Sequence, residues 1–457
     1  MSDRFTPPKP RTRPEGISRI AHIRRFKTDL FASQPERLFR AWMAEFKLPF
    51  FRSFFVNQPD IIEEILKRRP DNFPKSRIIG GALHALLGRS VFVTNGAIWK
   101  RQRRIIDPSF EGGRLHRSFD AMIRAGQQAV REFAPMADGR AVEIEEPASR
   151  LAADIIFRTL FSIPITSDIA DQTYKAFHAY QRTQPLMNLG SFVRSPWVIK
   201  VLQKPATKHH GAELRRLLMR LTDQRALEIQ QGSAPDDLAT KIMTTKDPET
   251  GDVFDTDEMV DQVAIFFLAG HETSASALAW SLYLVAKTPE VQEKIAKETR
   301  SLGDISDLKF RDLSKLPFTR DVFREALRLY PPVPMMVREA GQPEFFRNRR
   351  VPKGSQMVVS PFHIQRHERI WTDPHVFDPA RWQRDETKIA ARAAYLPFST
   401  GPRVCTGAGF AMAEGVAMLA CLLGAYEFKP VAGREPQPVA HLTLRSEAGI
   451  YLSFTPR

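Results

Sequence analysis

The chain has 457 residues, of which 43% are hydrophobic and 26% charged, a balance typical of folded globular proteins that excludes an intrinsically disordered chain. Its 67 basic and 52 acidic residues give a net charge of +15, which favours an acidic partner, with a solvated basic surface as the alternative interpretation. There is no zinc-finger spacing, aromatic RNA-binding motif or long Lys/Arg block, so no nucleic acid partner is expected.

The N-terminal residues 1–30 are predicted to be a loosely packed lead-in, followed by a single domain over residues 31–457. The start of the chain lacks the apolar core of a signal peptide. The longest apolar runs, Val263–Gly270 and Gly415–Tyr426, are shorter than the ~18 residues needed to cross a bilayer. We therefore expect a soluble protein without a membrane span.

Helical periodicity dominates the chain after the lead-in. It predicts helices at residues 59–69, 99–106, 114–133, 148–162, 168–181, 208–230, 289–301 and 319–329. The stretch at residues 76–96, which contains glycine and aliphatic residues, is predicted to be rich in loops. The strand-like segments are few and short, at residues 351–359 and in a closing pair near 441–444 and 449–454.

The longest predicted helix begins at Asp255, which has capping-box spacing with Glu258. The helical pattern continues to Lys287, so the helix has about 32 residues and a length of ~48 Å. A mostly apolar helix of this length must cross the interior of a large domain. The predicted fold class is therefore mainly α, a large helical domain with a long central helix and a small β-rich region.

Two cysteines, Cys405 and Cys421, are too few for a disulfide scaffold and indicate a reducing compartment, which favours a cytoplasmic location. Cys421 lies within an apolar helical pattern and is predicted to be a core residue. Cys405 lies between Gly401 and Gly407, just before a helical pattern. Backbone N–H groups and the helix dipole stabilise a thiolate at such a position, and glycines let a flat macrocycle approach the backbone.

The segment Phe398-x-x-Gly401-x-Arg403-x-Cys405-x-Gly407 closely resembles the haem-binding signature of the cytochrome P450 family. The resemblance implies the cytochrome P450 fold and a haem b cofactor whose iron has the Cys405 thiolate as its axial ligand. It also implies that the other four residues of the segment contact the haem, with the arginine binding a propionate.

A second segment, Ala269-Gly270-His271-Glu272-Thr273, resembles the family's oxygen-activation motif. A threonine that hydrogen-bonds back to a carbonyl can bend a helix and open a groove. Gly270 is predicted to leave room for O₂, and Ala269 to contact the cofactor. Thr273 and Glu272 are predicted to pass protons to the bound oxygen.

Three further residues resemble a structural motif of the family. Glu325 and Arg328 are three positions apart on a predicted helix and can pair. Arg381 lies in a second arginine-bearing motif of the family. The resemblance implies a buried network of these three side chains that shapes the haem-binding core, with a structural rather than a chemical role.

The resemblance also implies residues that hold the haem propionates and a surface for an electron donor. Trp99, Arg103 and Arg338 match propionate-binding positions of the family. On the same predicted helix, Lys100, Arg101 and Arg104 are cations that an acidic donor could contact, and a solvated basic face is the alternative. Because no flavin or iron–sulfur segment is recognised, we expect an acidic ferredoxin with an NAD(P)H-dependent ferredoxin reductase, and a monomeric enzyme.

By family position, the substrate pocket should draw on residues 78–92, 185–197, 266–270, 333–337 and 446–448. Its apolar members are predicted to be Leu83, Leu86, Leu87, Phe92, Phe267, Val333 and Met336. A hydrophobic small molecule follows, and a terpenoid, a steroid, a fatty acyl chain and an aromatic compound all remain open.

The resemblance implies a haem-thiolate monooxygenase that inserts one oxygen atom of O₂ into this substrate with electrons from a separate protein. One alternative is a haem-thiolate peroxygenase or isomerase that needs no electron donor, and the Glu272-Thr273 pair disfavours it. The other is a non-catalytic protein that binds haem or a hydrophobic ligand.

Overall fold

The computed structural model describes residues 4–14, 16, 24–26, 28–48, 51–111, 113–183 and 205–457. Its helices are α1 (Pro59–Glu63, continued by π-helical turns at Glu64–Arg68), α2 (Arg77–Leu87), α3 (Gly96–Ile106), α4 (Arg114–Phe133), α5 (Glu145–Phe161), α6 (Asp168–Thr183), α7 (Pro205–Gln230), α8 (Leu238–Thr244), α9 (Thr256–Ala286), α10 (Pro289–Arg300), α11 (Pro317–Leu329), α12 (Pro361–Ile364), α13 (Asp385–Ala394) and α14 (Ala408–Ala425). Short 3₁₀ turns lie at Phe31–Ser33, Glu36–Phe39, Asp107–Ser109, Ala134–Met136, Ile305–Asp307, Phe310–Lys315, Pro379–Gln383 and Gly401–Arg403.

The strands are short and form small sheets. They are β1 (Met43–Leu48), β2 (Phe51–Val56), β3 (Val142–Glu143), β4 (Met336–Glu339), β5 (Glu344–Phe346), β6 (Arg349–Val351), β7 (Gln356–Val359), β8 (Tyr426–Pro430), β9 (Pro438–Ala440), β10 (Leu444–Ser446) and β11 (Tyr451–Pro456). The largest sheet has the order β1-β2-β7-β4, in which β2 and β7 are parallel and the other pairs antiparallel. The others are β3-β11-β8, β9-β10 and β5-β6. The predicted mainly α fold with a small β-rich region is confirmed.

Helix α9 is the central element, and most of its side chains are buried. The predicted capping box is present: the Asp255 carboxylate accepts a hydrogen bond from the Glu258 N–H, and the Glu258 carboxylate accepts one from the Asp255 N–H. These two hydrogen bonds supply acceptors for backbone N–H groups that have no partner within the first turn of a helix. The helix packs against α5, α7, α11 and α14, so side chains at its middle lie deep in the domain.

Two local predictions are wrong. Residues 76–96 contain helix α2, because Ser76 caps its start by accepting a hydrogen bond from the Ile78 N–H, a signal that the glycines in this stretch obscured. The two closing strands do not pair with each other: β10 pairs with β9, and β11 pairs with β8 and β3. The β1–β2 hairpin was not predicted.

The lead-in is packed rather than loose over residues 4–14. The Pro8 carbonyl accepts a hydrogen bond from the buried Tyr330 hydroxyl at 2.7 Å, and the Phe5 carbonyl accepts one from the Phe377 N–H at 3.0 Å. Arg4 also forms an ion pair with Asp373. This part of the lead-in is therefore held against the domain that follows it.

One described helix, α14, is long and apolar enough to cross a membrane by length and composition. Its 18 residues have a mean hydropathy of 1.7, and 61% of them are buried inside the domain. The expectation that all apolar runs are too short therefore does not hold for this helix. The core helix of a soluble protein has the same properties, and α14 lies in the main hydrophobic core.

Candidate active site

A cavity of about 1070 Å³ lies between the middle of α9, the loop before α14 and the start of β4. It is larger than most small-molecule pockets, which have volumes of about 300–1,000 Å³. Cys405, Thr273 and Arg338, predicted from three distant parts of the sequence, all line it. The predicted cofactor-binding, oxygen-activating and propionate-binding segments therefore meet at one site.

The loop before α14 is shaped by its backbone. Gly401 has a φ of +74°, and a Cβ atom at this position would overlap the Leu66 carbonyl oxygen. A glycine is thus required at position 401 because the loop contacts the helical turns after α1. The sequence had predicted a different reason, namely that a macrocycle approaches the backbone here. At Gly407, by contrast, the nearest atom to an added Cβ would be the Cys405 Sγ, at 4.0 Å, which leaves open space next to the sulfur.

Cys405 projects into the cavity, and its N–H donates to the Phe398 carbonyl at 3.0 Å. Burial raises the pKa of the Cys405 thiol, while the Gly407 N–H and the Arg103 guanidinium lower it. The start of α14 therefore does not by itself produce the thiolate that the sequence predicted. A metal ion coordinated by the Cys405 sulfur would produce it, because coordination deprotonates a thiol.

Four cations converge on one end of the cavity around the ring of Trp99. Lys75 Nζ lies 5.5 Å from the ring centroid, and the guanidinium carbons of Arg103 and Arg403 lie at 6.0 and 5.2 Å. Arg338, the fourth, is the largest source of charge repulsion on Lys75. Burial and these arginines hold the pKa of Lys75 well below its usual range, and burial with Arg403 lowers that of Arg338 to about 10.

This cation cluster fits a dianionic group. Of the four cations, only Arg103 forms an ion pair with a carboxylate in the described structure, at 2.9 Å from Asp107. The Nε atoms of Arg338 and Arg403 are buried and have no hydrogen-bond partner among the described residues. Unpaired buried cations are unfavourable, so the arrangement suits the two propionates of a haem beside a sulfur ligand.

Lys75 was not predicted as a site residue. It stands alone before Ser76, in no charged pattern, and no spacing in the sequence connects it with Arg338. Its role follows only from the fold, which joins Lys75 to Arg338 through an isolated β-bridge.

The turn of α9 that faces the cavity carries the predicted oxygen-activating residues. The Thr273 hydroxyl donates to the Ala269 carbonyl at 2.6 Å, which is the predicted hydrogen bond to the preceding turn. Both residues line the cavity. The Thr273 side chain thus supplies a hydrogen-bond donor to the Ala269 carbonyl at the point where this turn faces the cavity.

The Glu272 carboxylate is buried and points toward the C-terminal strands. It accepts hydrogen bonds from the Thr443 hydroxyl at 2.6 Å and from Arg445 Nη2 at 2.8 Å. No described hydrogen bond joins Glu272 to Thr273. Transfer of a proton between these two side chains therefore requires water, or rotation of the carboxylate away from Arg445.

Gly270 has a packing role that the sequence did not reveal. A Cβ atom at this position would overlap Cδ1 of Ile156, on α5. The space that the missing side chain leaves is filled by Ile156, which also lines the cavity. The structure thus gives Gly270 a close helix contact, and the predicted room for O₂ at this residue stays a prediction.

The cavity has a polar corner between α5, α6 and α9. The Ser149 hydroxyl lies 2.7 Å from His271 Nε2 and 3.3 Å from His178 Nε2. The Tyr174 hydroxyl continues this series of hydrogen bonds by donating to the exposed Glu146 carboxylate at 3.0 Å. Burial, with His178 and Arg445, lowers the pKa of His271 to about 3, so this imidazole is neutral at physiological pH.

A buried acid, Glu414, lies behind the α9 turn. It accepts a hydrogen bond from the Ser274 hydroxyl at 2.9 Å and lines the cavity. Burial raises its pKa to about 8, so the carboxyl group is mostly protonated at neutral pH. The uncharged form lets α14 pack against α9 without a buried charge.

Glu325, Arg328 and Arg381 form one buried network. Glu325 accepts from Arg328 at 2.8 and 2.9 Å and from Arg381 at 2.9 Å, and all three side chains are almost fully buried. The two guanidiniums also donate to the carbonyls of residues 365, 372–374 and 376. The network thus ties α11 to the loop between α12 and α13.

The predicted apolar pocket residues divide into two groups. Leu83, Phe92, Val333 and Met336 line the cavity. The remaining three were assigned to the pocket wrongly, because they are buried in the core between α2, α6, α7 and α9: these are Leu86, Leu87 and Phe267.

Some predicted pocket segments are also replaced. Near the C-terminus, His441, Leu442 and Arg445 line the cavity in place of residues 446–448. Phe266, from the predicted segment 266–270, lines the cavity, and Ile155 and Leu160 add apolar wall that was not named from the sequence. The predicted segment 185–197 lies outside the described residues.

The cations proposed for donor binding are mostly engaged within the chain. Arg101 pairs with Glu258 at 2.7 Å, and Arg104 pairs with the buried Asp247 at 2.6 Å. Lys100 has only a long contact of 3.6 Å with Asp71, and its side chain is 55% exposed. Of the three, Lys100 alone keeps a charge that is largely available to a partner.

Comparison with known proteins identifies relatives along nearly the whole chain. The family model described as Cytochrome P450 matches residues 29–454. A cyclooctat-9-en-7-ol 5-monooxygenase of Streptomyces melanosporofaciens is 29% identical over 86% of this chain and 83% of its own. A pentalenene oxygenase of Streptomyces avermitilis is 29% identical over 87% of each chain. A cytochrome P450DA mutant haem domain of 23% identity superposes with a TM-score of 0.84 over 98% of both chains, which shows the same fold.

Proposed function

Because this chain belongs to the cytochrome P450 family and is a monooxygenase of that family, we propose that it inserts one oxygen atom of O₂ into a hydrophobic small molecule. The observation that carries the proposal is the single cavity lined by Cys405, the cation cluster and the Thr273 turn. A sulfur ligand, anion-binding groups and a hydroxyl-bearing helix turn are the parts that haem-dependent oxygen activation needs.

Haem b is the proposed cofactor, with the Cys405 thiolate as its axial ligand. Arg103, Arg338, Arg403 and Lys75 would hold its propionates, which neutralises the cation cluster. Haem bound through a thiolate supplies O₂ binding and favours cleavage of the O–O bond. Phe398, Gly407 and the Trp99 ring would pack against the macrocycle or its edge.

The α9 turn would manage protons. The Thr273 hydroxyl, which donates to the Ala269 carbonyl, would hold a proton at Oγ1 and release it toward the cavity once this hydrogen bond opens. Glu272 would resupply Thr273 through water, once its carboxylate leaves Arg445.

The substrate is proposed to have a hydrocarbon skeleton with few polar groups. Leu83, Val333 and Met336, with Phe266 and Ile156, provide an apolar wall. The names of two relatives, a cyclooctat-9-en-7-ol 5-monooxygenase and a pentalenene oxygenase, agree with a compound of this kind. A terpenoid is therefore the proposed class among the four left open by the sequence.

Electrons are proposed to come from an acidic ferredoxin and an NAD(P)H-dependent ferredoxin reductase, and the enzyme is proposed to be a cytoplasmic monomer. The net charge of +15 supports an acidic donor. Lys100 is the exposed cation on α3, the helix that also carries Arg103.

Replacement of the sulfur tests the cofactor assignment. Cys405→Ser should abolish the reduced-CO absorption band that is characteristic of thiolate ligation, because an alcohol cannot replace the thiolate. Cys421→Ser, at a buried core position, is the matched control and should keep the band. A normal band in Cys405→Ser would refute the ligand assignment.

Turnover tests the relay and separates the alternatives. Thr273→Ala should still bind haem but release electrons as hydrogen peroxide, measured as peroxide formed per NAD(P)H consumed. Turnover of the unaltered enzyme should depend on NAD(P)H and ferredoxin. Fully coupled turnover by Thr273→Ala would remove the relay, and efficient turnover of the unaltered enzyme on peroxide alone would favour a peroxygenase.

A further inference from the structure

Three potential metal ligands lie together on α7, outside the cavity. They are His209, His210 and Glu213, and they form the group of metal-ligating side chains found among the described residues. None of them lines the cavity that holds Cys405. Their ligand atoms all lie within 4.8 Å of one another.

The helix geometry explains why the three side chains converge. Successive residues of an α-helix are about 100° apart, so Glu213 projects about 40° from His209 and about 60° from His210, between the two. His209 and Glu213 are four positions apart, and His210 and Glu213 three, which are the spacings that bring side chains together on a helix. Glu213 can therefore share a ligand with either histidine.

The measured separations are close to those of a metal site. A tetrahedral zinc ion with bonds of about 2.0–2.1 Å places its ligand atoms roughly 3.3 Å apart. His210 Nδ1 lies 3.7 Å from Glu213 Oε2, and the two imidazole rings have centroids 5.3 Å apart. Small side-chain rotations of His209 would close the remaining gap without a change of the backbone.

The state of His210 also suits a ligand. Its Nδ1 is buried and has no hydrogen-bond partner among the described residues, and its distance to Glu213 is too long for a hydrogen bond. A buried imidazole nitrogen without a partner is unfavourable. A metal ion held with Glu213 would satisfy this atom.

We propose that His209, His210 and Glu213 bind a zinc ion on the outer surface of α7. Two imidazoles and one carboxylate form a mixed nitrogen–oxygen ligand set that zinc accepts, with water as the fourth ligand. Lys208 and Arg216 are exposed cations on the same helix, and their charges repel a zinc ion. The site should therefore bind zinc more weakly than a buried structural site does.

Zinc would fix the first turns of α7 where this helix crosses α6. Between the ligands lies Gly211, where an added Cβ would be 3.3 Å from the Tyr180 ring of α6. Thr207 adds a hydrogen bond to the Thr183 carbonyl at 2.8 Å. A metal ion across residues 209–213 would hold the turn that makes these contacts, and amide hydrogens in this turn should exchange more slowly with zinc.

The test is calorimetric titration of the full haem-bound chain, without a polyhistidine tag, with zinc chloride. One zinc ion per chain is expected. Mutation of a residue that hydrogen-bonds to a metal ligand lowers metal affinity by about 10–100-fold. Loss of a ligand itself should cost more, so His209→Gln, His210→Gln and Glu213→Gln should each weaken zinc binding by about 100-fold or more. The Soret absorption of each variant checks that the fold and haem site are intact.

His84→Gln is the matched control, because His84 is an exposed histidine on another helix. It should leave the zinc affinity unchanged. A Co²⁺ titration of the same variants, followed by visible absorption, should show a tetrahedral spectrum that His209→Gln loses. One-to-one zinc binding of unchanged affinity in Glu213→Gln would overturn the proposal, and so would zinc binding that only His84→Gln removes. The proposal would also fail if zinc slowed amide hydrogen exchange in α7 of the variant that carries all three ligand substitutions.

Discussion

At the residue scale, Lys75 is the clearest site residue that lacks a sequence signal. Its ammonium group is surrounded by Arg103, Arg338 and Arg403, and its described hydrogen bond is to the Val91 carbonyl. An ammonium in such a place destabilises the fold unless negative charge joins it. Two haem propionates would convert this repulsion into attraction.

Lys75→Met should therefore weaken the hold on haem while keeping the aliphatic part of the side chain. A hydrogen bond to a charged group contributes about 1.5–3 kcal/mol, so haem should dissociate roughly 10–100-fold faster. The rate is measured by transfer of haem to a scavenger protein in excess. Lys67→Met, at an exposed lysine, is the control, and an unchanged rate in Lys75→Met would remove this residue from the haem site.

Ser399 and Gly401 show two ways in which the Cys405 loop is built. Both have positive φ, at +64° and +74°, but only Gly401 faces an atom that excludes a side chain. Ser399 therefore carries backbone strain of about 1 kcal/mol, which the packing of the loop maintains.

At the element scale, the contact of α5 with α9 depends on Gly270. The Ile156 side chain occupies the position where a Cβ of residue 270 would lie. The two helices are thus held closer than any larger residue at position 270 would allow. Because both residues also line the cavity, this contact sets the position of the α9 turn that carries Thr273.

Gly270→Ala should lower the free energy of unfolding by about 1–3 kcal/mol, because the new methyl group overpacks against Ile156. Ile156→Val removes Cδ1 and alone should cost about 0.5–1.5 kcal/mol. The double variant should be more stable than the sum of the two changes predicts, as measured by urea unfolding of the haem-bound protein. Gly409→Ala, where the added Cβ has only an ordinary contact, is the control. Additive effects would contradict the close contact.

At the scale of the whole molecule, the net charge of +15 does not by itself identify which basic side chains are available to a partner. Arg101 and Arg104 on α3 are paired with Glu258 and Asp247, so they orient the start of α9 and a nearby loop. Lys100 remains the exposed cation of this helix. The sequence indicated three cations on α3 that could contact an electron donor, and the structure leaves only one of them, Lys100, largely available.

Lys100→Glu should raise the KM for an acidic ferredoxin by about three- to tenfold at low salt, since reversal of a charge at the rim slows association. The difference should shrink as ionic strength rises, because screening weakens exposed charges. The measurement is NAD(P)H-driven turnover at varied ferredoxin and salt. Lys353→Glu, which changes the net charge equally, should have a smaller effect, and equal effects would assign the result to net charge alone.

The sequence determined the features that depend on residues close together in the chain. The capping box at Asp255, the length of α9, the turn before α14 and the pairing of Glu325 with Arg328 all rest on spacings of a few residues, which helix and turn geometry translate directly. The ordered motifs around Cys405 likewise identified the family.

Only the tertiary structure decided which side of each element faces the cavity and which charges meet. Leu86, Leu87 and Phe267 are as apolar as Leu83 and lie in the same hydrophobic core, but only Leu83 also lines the cavity. Two of the three arginines around the Lys75 ammonium, Arg338 and Arg403, are more than 250 positions away in the sequence. Such contacts have no local signal, because they follow from how helices pack rather than from any spacing along the chain.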